Sequence, residues 1–456
     1  MTHATSTLAP RGGSAAAPPP GRGSAFAEGA ARLRAAAVTE PGRLRIIGAL
    51  LAVLIVFFGA VTAWQVADRA AAAEDVVGRS QPLSADAASI YRSLADADTA
   101  SSSGFLAGSK ESREVRARYE KDIANASRLL VKAAANAGRS AESARQIGVL
   151  GEELPRYTGL IEQARANNRQ GLPLGGAYLR YANERMSTRL LPAAQRLYEV
   201  ETGHLYEDYG AAGSHPLTAL AAGLAALGAL GWAQRRTYRR THRVFNHGLL
   251  AATAASTVVL LWLTVGHLVA HSDLADSRVH GQESLKVLND ARISSLQARA
   301  NENLTLVARG AVLATDKKSD KYDTDFKANM AALDQGLAEA ARRADDAAGG
   351  DPVARAQAGV RAWQARHSAA RATDEKGDYE GALVQVIDGR DSTGAAFDQV
   401  DASLEQALAH EQRQFARSAR DALGALTGLA AGASVLAGLG AAAALIGVGR
   451  RLSEYR

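Results

Sequence analysis

Hydrophobic and polar positions follow two patterns along this chain. Four stretches carry no charge: Ile46–Ala67, Pro216–Ala233, Gly248–Val269 and Ala422–Gly449. A helix needs about 20 apolar residues to cross a bilayer core. The first and third stretches meet that need. The second is short and rich in Ala and Gly, and the fourth is long enough to span with tilt. Buried core helices of a soluble protein are the alternative, but an ordinary core does not accommodate four such runs. The first run is also too long, and too far from the N-terminus, for a cleaved signal peptide.

Between these runs the apolar positions recur at spacings of three and four. Ile147, Leu150, Leu154, Tyr157 and Ile161 form one stripe. Ile293, Leu296, Ala300, Leu304, Val307 and Ala311 form another, and Phe397, Val400, Leu404 and Leu408 a third. Such stripes are the buried faces of bundle helices. Turn signals divide each outer segment into four predicted helices. In residues 68–215 they fall near 68–106, 110–136, 139–168 and 174–213. In residues 270–421 they fall near 270–314, 318–346, 352–376 and 378–420. The run "DDAAGGDP" reads as a stop and restart, with Gly ending one helix and Pro opening the next.

The two outer segments hold 148 and 152 residues and each lies between two apolar runs. At a constant offset of 202 residues Leu83 matches Leu285, Ser93-Leu94 matches Ser295-Leu296 and Gly108 matches Gly310. The expected fold is an all-α membrane protein. It has four transmembrane helices and two extracytoplasmic four-helix bundles, in a duplicated span–bundle–span arrangement.

Charge changes this picture by fixing sides. The net charge is +6 and the pI about 9.5, which alone would suggest nucleic acid. The basic residues are concentrated in residues 1–45, 234–247 and 450–456, which hold 14 Lys/Arg and 3 acids, whereas 68–215 and 270–421 hold 39 and 44. Arginine beside short loops marks the cytoplasmic side. Both termini are therefore expected inside and both long segments outside, with the basic pI a sign of topology and not of nucleic-acid binding. The tail 1–45 is rich in Ala, Gly, Pro and Ser and is expected to be disordered. The low aromatic content, 5%, disfavours large β-sandwiches. The absence of cysteine excludes disulfides, thiol catalysis and cysteine-ligated zinc.

No Walker-type loop, HExxH or GxSxG occurs, so neither an enzyme nor a cofactor is expected. The run 316–326, with Asp320, Asp323 and Asp325, lacks the Gly and Glu of a calcium loop and reads as a solvated helix start. His267 reads as an interfacial histidine near the outer end of its span. Arg235, Arg236, Arg239, Arg240 and Arg243 in "AQRRTYRRTHRVFNHG" are the candidates for lipid contact and for docking a cytoplasmic partner. Asn167, Asn168 and Arg169 are candidates for an extracytoplasmic partner, against a plain reading as capping residues of an interhelical loop. Gly424, Gly428 and Gly432 recur every fourth residue and are candidates for close helix packing, within the four spans or between two copies of a homodimer.

The outer bundles resemble, in architecture, the ligand-sensing domains of bacterial chemoreceptors and sensor kinases. The segments "RANNRQGLPLGGAYLRYAN", "LLPAAQRLY", "RRTYRRTHRVFN", "RANENLTLVARG" and "RLSEYR" resemble an actinobacterial family of four-pass membrane proteins associated with amino-acid sensing by protein kinase G. That resemblance implies a non-enzymatic transducer. It would relay the state of an extracytoplasmic amino-acid-binding lipoprotein to a cytoplasmic Ser/Thr kinase. An envelope scaffold or assembly protein is the alternative expectation. A transport component fits less well, because the spans carry no polar midplane residues.

Overall fold

The computed structural model describes residues 40–108, 111–136, 140–241, 246–276, 281–387, 389–426 and 428–453. The described chain is helical. Its elements are α1 (Glu40–Asp75), α2 (Gln81–Ala107), α3 (Arg113–Asn136), α4 (Ala141–Arg169), α5 (Leu174–Arg185), α6 (Leu191–Ala212) and α7 (Leu217–Thr241). After these come α8 (His247–Asp276), α9 (Glu283–Ala308), α10 (Lys321–Arg343), α11 (Ala347–Glu375), α12 (Tyr379–Ile387), α13 (Thr393–Leu426) and α14 (Leu429–Ser453). Among the described residues there is no strand, and an isolated bridge pairs Leu313 with Asp320.

Wide π-helical turns, Val76–Ser80 and Met186–Leu190, connect α1 to α2 and α5 to α6. Their cause is local. Pro82 and Pro192 follow directly, and a proline ring clashes with the carbonyl four residues earlier while offering no N–H. The chain widens instead, so that Gln81 N–H reaches Val76 O and Leu191 N–H reaches Met186 O. The first wide turn leaves the helix unbroken, and one helical run extends 66 residues from Gly42 to Ala107.

The chain divides into two compact units. One comprises residues 1–59, 221–259 and 434–456. Its core is made of Leu51, Ile55, Leu230, Leu249, Ala252, Ala444 and Val448. Its outer surface is also apolar: Leu50 is 63% exposed, Phe57 56%, Leu439 62% and Ile446 58%. Large side chains of this kind face lipid rather than water. Among the described residues four helices are long and apolar enough to cross a membrane, which fits a multi-pass membrane protein.

The other unit comprises residues 60–220 and 260–433. Here the helices expected to form two four-helix bundles share one core. One continuous core runs from Ile90 and Leu94 through Tyr157, Met186 and Leu197 to Leu296, Phe326, Trp363 and Leu404. The reason lies in α2 and α9. Besides its apolar stripe, each carries a second face of small and polar residues that lets the two helices lie side by side. Thr99 Oγ1 donates to Leu296 O at 2.8 Å, and Asn303 Nδ2 donates to Ser103 Oγ at 2.8 Å.

Three boundaries also differ from expectation. The fourth apolar stretch does not begin at Ala422. α13 runs to Leu426, Gly428 takes the left-handed φ of +78° that commonly ends a helix, and α14 starts at Leu429. In "DDAAGGDP" the restart precedes the glycines, because Asp346 Oδ1 accepts from Gly349 N at 2.7 Å and caps α11 there. Pro352 then falls inside that helix. The predicted helix 378–420 is two helices, since Thr393 opens α13 after Ile387 closes α12. Ser392 Oγ accepts from Ala395 N at 3.1 Å and caps the new start.

Candidate ligand cleft

The ends of α2 and α12 and the starts of α3 and α13 enclose a cleft of about 740 Å³. That size is typical of small-molecule sites. Leu106, Leu383, Val384, Ile387 and Phe397 supply an apolar wall, and Ser103, Ser112, Arg118 and Arg299 supply polar groups. The order follows from the sequence. α12 is a single short helix whose Ala382 and Val386 are buried against Leu106 and Leu306, so its other face is left toward the cleft. Val384 on that face is 55% exposed.

Arg118 joins the cleft to a charged groove of about 530 Å³ between α2, α3, α9 and α13. It pairs with Asp96 at 2.7 Å, Asp401 at 3.3 Å and Asp398 at 3.9 Å. Burial opposes its charge, but these carboxylates outweigh burial and raise its pKa above the ordinary guanidinium value. Across the groove Arg292 Nε holds Asp401 at 2.8 Å. Asp122 faces Asp96, and burial with that like charge pushes Asp122 up to about 8. Asp122 therefore keeps its proton near neutral pH.

Beneath the cleft lies a buried network. Arg299 donates to Glu302 Oε2 at 2.5 Å, to Thr393 Oγ1 at 2.9 Å and to Val386 O at 3.1 Å. It thereby ties α9 to both α12 and α13. Gly394 is required there, because a Cβ would sit 2.9 Å from Arg299 Nη2. Glu302 also accepts from Trp363 Nε1 at 3.1 Å and meets His367 Nδ1 at 2.9 Å. The His367 ring stacks on Phe326 with centroids 3.7 Å apart. Burial would raise the Glu302 pKa, yet Arg299 and His367 bring it below the ordinary value. Burial would lower His367, yet hydrogen bonds to Asp323 and Glu302 raise it. Hydrogen bonding to His367 is also the main cause that holds Asp323 well below the usual carboxylate range.

The residues singled out from sequence lie elsewhere. Asn167, Asn168 and Arg169 form the last turn of α4, not a loop. Asn167 Nδ2 donates to Gln163 O, and Asn168 Nδ2 donates to Phe105 O at 2.8 Å, which ties α4 to α2. Arg169 is exposed. α7 continues to Thr241, so Arg235, Arg236 and Arg239 stand on a helix rather than in the expected 234–247 loop. Arg236 lies over the Trp232 ring at 5.5 Å. The side chain of Arg240 and all of Arg243 lie outside the described residues. The three glycines do not form one stripe: Gly424 ends α13, Gly428 is the turn, and Gly432 alone of the three meets a neighbour, the Trp262 ring.

Sequence reasoning missed the Arg299–Glu302–Trp363–His367 network. The signal was present as Arg and Glu three apart and Trp and His four apart on predicted helices, in each case one face of a turn. Among the described residues no group of three His, Asp or Glu is arranged to hold a metal ion. His215, His267 and His271 gather with ring centroids 5.4–5.9 Å apart, and His267 lies among imidazoles at the end of its span.

Residues 72–210 match a family model described as an actinobacterial sensor domain. The matched segment runs from the end of α1 to α6 and includes Ser103, Leu106 and Arg118 of the cleft. No curated protein and no solved structure matches the chain.

Proposed function

We propose, with the actinobacterial sensor match as premise, that this chain is a non-enzymatic transmembrane sensor. It relays an extracytoplasmic amino-acid signal, presented by a solute-binding lipoprotein, to a cytoplasmic partner such as a Ser/Thr kinase. One observation carries the reading: Thr99–Ala107 of the cleft wall and the apolar stretch Ile46–Ala67 belong to a single unbroken helix. A change of occupancy at one end of a stiff helix is a small shift or rotation along all of it.

Two further expectations belong to this reading. The order of helices after each of the first and third apolar stretches is alike, with α2 starting at Gln81 and α9 at Glu283, and a duplicated span–bundle–span ancestry accounts for it. The arginine excess of residues 1–45, 234–247 and 450–456 favours both termini inside, which makes Arg235, Arg236 and Arg239 the docking surface for lipid headgroups and the kinase-type partner.

The test uses Val384→Trp, which fills the cleft from an exposed position without entering the core. In cells supplied with or starved of amino acids, crosslinking between the chain and its cytoplasmic partners is expected to depend on supply in the wild type and to be fixed in the variant. Crosslinking indifferent to amino acids in the wild type overturns the sensor reading. A supply-dependent response retained by the variant removes the cleft from it.

A further inference from the structure

The charged residues that line the cleft are Arg118, Arg299, Glu380 and Asp398. Both arginines are already partnered. Arg299 donates to Glu302, Thr393 and Val386 O. Arg118 pairs with Asp96 at 2.7 Å and Asp401 at 3.3 Å, neither of which lines the cleft. The two acids are less well compensated. Among the described residues the nearest cation to Asp398 is Arg118 at 3.9 Å, and the Asp398 side chain is 69% exposed. Glu380, in the first turn of α12, is exposed and makes no ion pair among the described residues.

The other polar groups do not offset this. Two helix starts and two helix ends meet at the cleft, so their opposite dipole charges oppose one another, and Ser112 and Ser392 cap the starts. The hydroxyls of Ser103 and Ser112 can donate or accept and select no sign. The charge left over is that of Asp398 and Glu380. A carboxylate brought to Arg118 would join three already within 4 Å of it and be repelled by them. A cation brought to Asp398 meets attraction only partly spent on Arg118.

Beside these acids the wall is apolar, and Val384 on it is 55% exposed. Apolar side chains left open in a concave site mark contact with an apolar body. We propose that the cleft binds a small organic ammonium with an apolar body. Its nitrogen, which carries three N–H donors, is held by Asp398, with Glu380 adding to the attraction, and its carbon body lies against Val384 and Ile387. This ligand goes beyond the relay proposed above, where the amino acid is presented by a lipoprotein. It rests on the lining of the cleft and not on that reading.

Three probes share a phenyl body and differ in charge: 2-phenylethylamine, protonated at neutral pH; 3-phenylpropanoate; and phenylalanine, which carries both groups. Each is titrated calorimetrically into the full chain in nanodiscs. The heat with Val384→Trp, whose cleft is filled, is subtracted to remove partition into lipid. The amine is expected to bind at least about tenfold more tightly than the acid or the zwitterion. Asp398→Asn is expected to weaken the amine about tenfold and Glu380→Gln about threefold. Both positions are exposed, so both variants are expected to keep the wild-type melting midpoint. Binding of 3-phenylpropanoate or phenylalanine as tight as that of the amine, no amine heat beyond that of Val384→Trp, or an unchanged amine affinity in Asp398→Asn overturns the proposal. The assay contains neither lipoprotein nor cytoplasmic partner, so crosslinking indifferent to amino acids would remove the relay and leave the amine site standing.

Discussion

Glu302 and His367 approach to 2.9 Å in the core of the second unit, where each is almost wholly buried. The contact sits within a closed set of partners, Arg299, Trp363 and Asp323, none of which leaves its neighbour's charge uncompensated. Removing one member of such a set costs more than the set contributes, because the remaining charge is stranded in a low-dielectric interior. Glu302→Gln is therefore expected to lower the unfolding free energy by about 3–5 kcal/mol. Urea unfolding of the second unit within the full chain measures it. A loss below about 1 kcal/mol would sink the account.

The same pair sets a pH window. His367 is raised in the fold, so its contribution is complete below the ordinary histidine value near 6.5 and is lost as pH rises through the higher folded value. Glu302 is lowered, so its contribution is complete above the ordinary carboxylate value near 4.5 and is lost as pH falls through the lower folded value. The urea midpoint is expected to decline on the alkaline side of 6.5, and His367→Gln is expected to flatten that limb at lower overall stability. An unchanged alkaline slope in the variant would contradict the assignment.

Glu411 on α13 is expected to act in the same direction for a different reason. It is 4% exposed, and burial, with Asp345 and Asp346 nearby, raises it to about 7, against a bond from Ser284. A carboxyl raised in the fold stabilises below its unfolded pKa, near 4.5, and that stability disappears as pH rises through about 7. Glu411→Gln is expected to be more stable than wild type at pH 8, by up to about 3 kcal/mol, and about equal at pH 5. Thermal melts at the two pH values decide the matter.

Two glycines give opposite expectations for the same substitution. Gly394→Ala drives a Cβ to 2.9 Å from Arg299 Nη2 and 3.2 Å from Val386 O, and is expected to cost about 1–3 kcal/mol. Gly151→Ala, in the middle of α4 with nothing within 4 Å of its Cβ, is expected to add about 0.5–1 kcal/mol. Calorimetric midpoints moving the same way would refute the packing described around Arg299.

The shared core can be tested at Asn303. Its Nδ2 donates to Ser102 Oγ at 3.1 Å and Ser103 Oγ at 2.8 Å, and these bonds cross between α9 and α2. Asn303→Ala is expected to destabilise the whole second unit by about 1–3 kcal/mol while keeping one transition. A split into two transitions, one unmoved, would mean that the two halves fold apart.

Much of this organisation is legible in the sequence. The apolar runs lie mostly in α1, α7, α8 and α14, and the stripes Leu150–Leu154–Tyr157–Ile161 and Phe397–Val400–Leu404–Leu408 are buried as their spacing implies, with Ile147 at the head of the first only half-buried. Ala311 departs from its stripe, because α9 stops at Ala308 and Arg309 turns to a left-handed φ of +49°. What escaped was the second face of α2 and α9. Thr99, Ser102 and Asn303 are polar, and polarity on a helix reads as solvent until a partner of matching hydrogen-bond capacity is known to face it. The cleft escaped for a related reason: its wall depends on the break between Ile387 and Thr393, where a local cap at Ser392 prevailed over a continuous helical pattern.

The wide turn at Val76–Ser80 carries a mechanical implication. A helix advances about 100° of rotation per residue, and a turn closed five residues back rather than four absorbs a surplus residue without breaking the rod. Val76–Ser80 is thus a phase adjuster. It decides which side of α1 points in the same direction as the cleft-lining side of α2. Deleting a single residue there would tighten the turn to an ordinary one and leave the two faces nearly in phase, whereas a deletion elsewhere in α1 would swing one face against the other by about 100°.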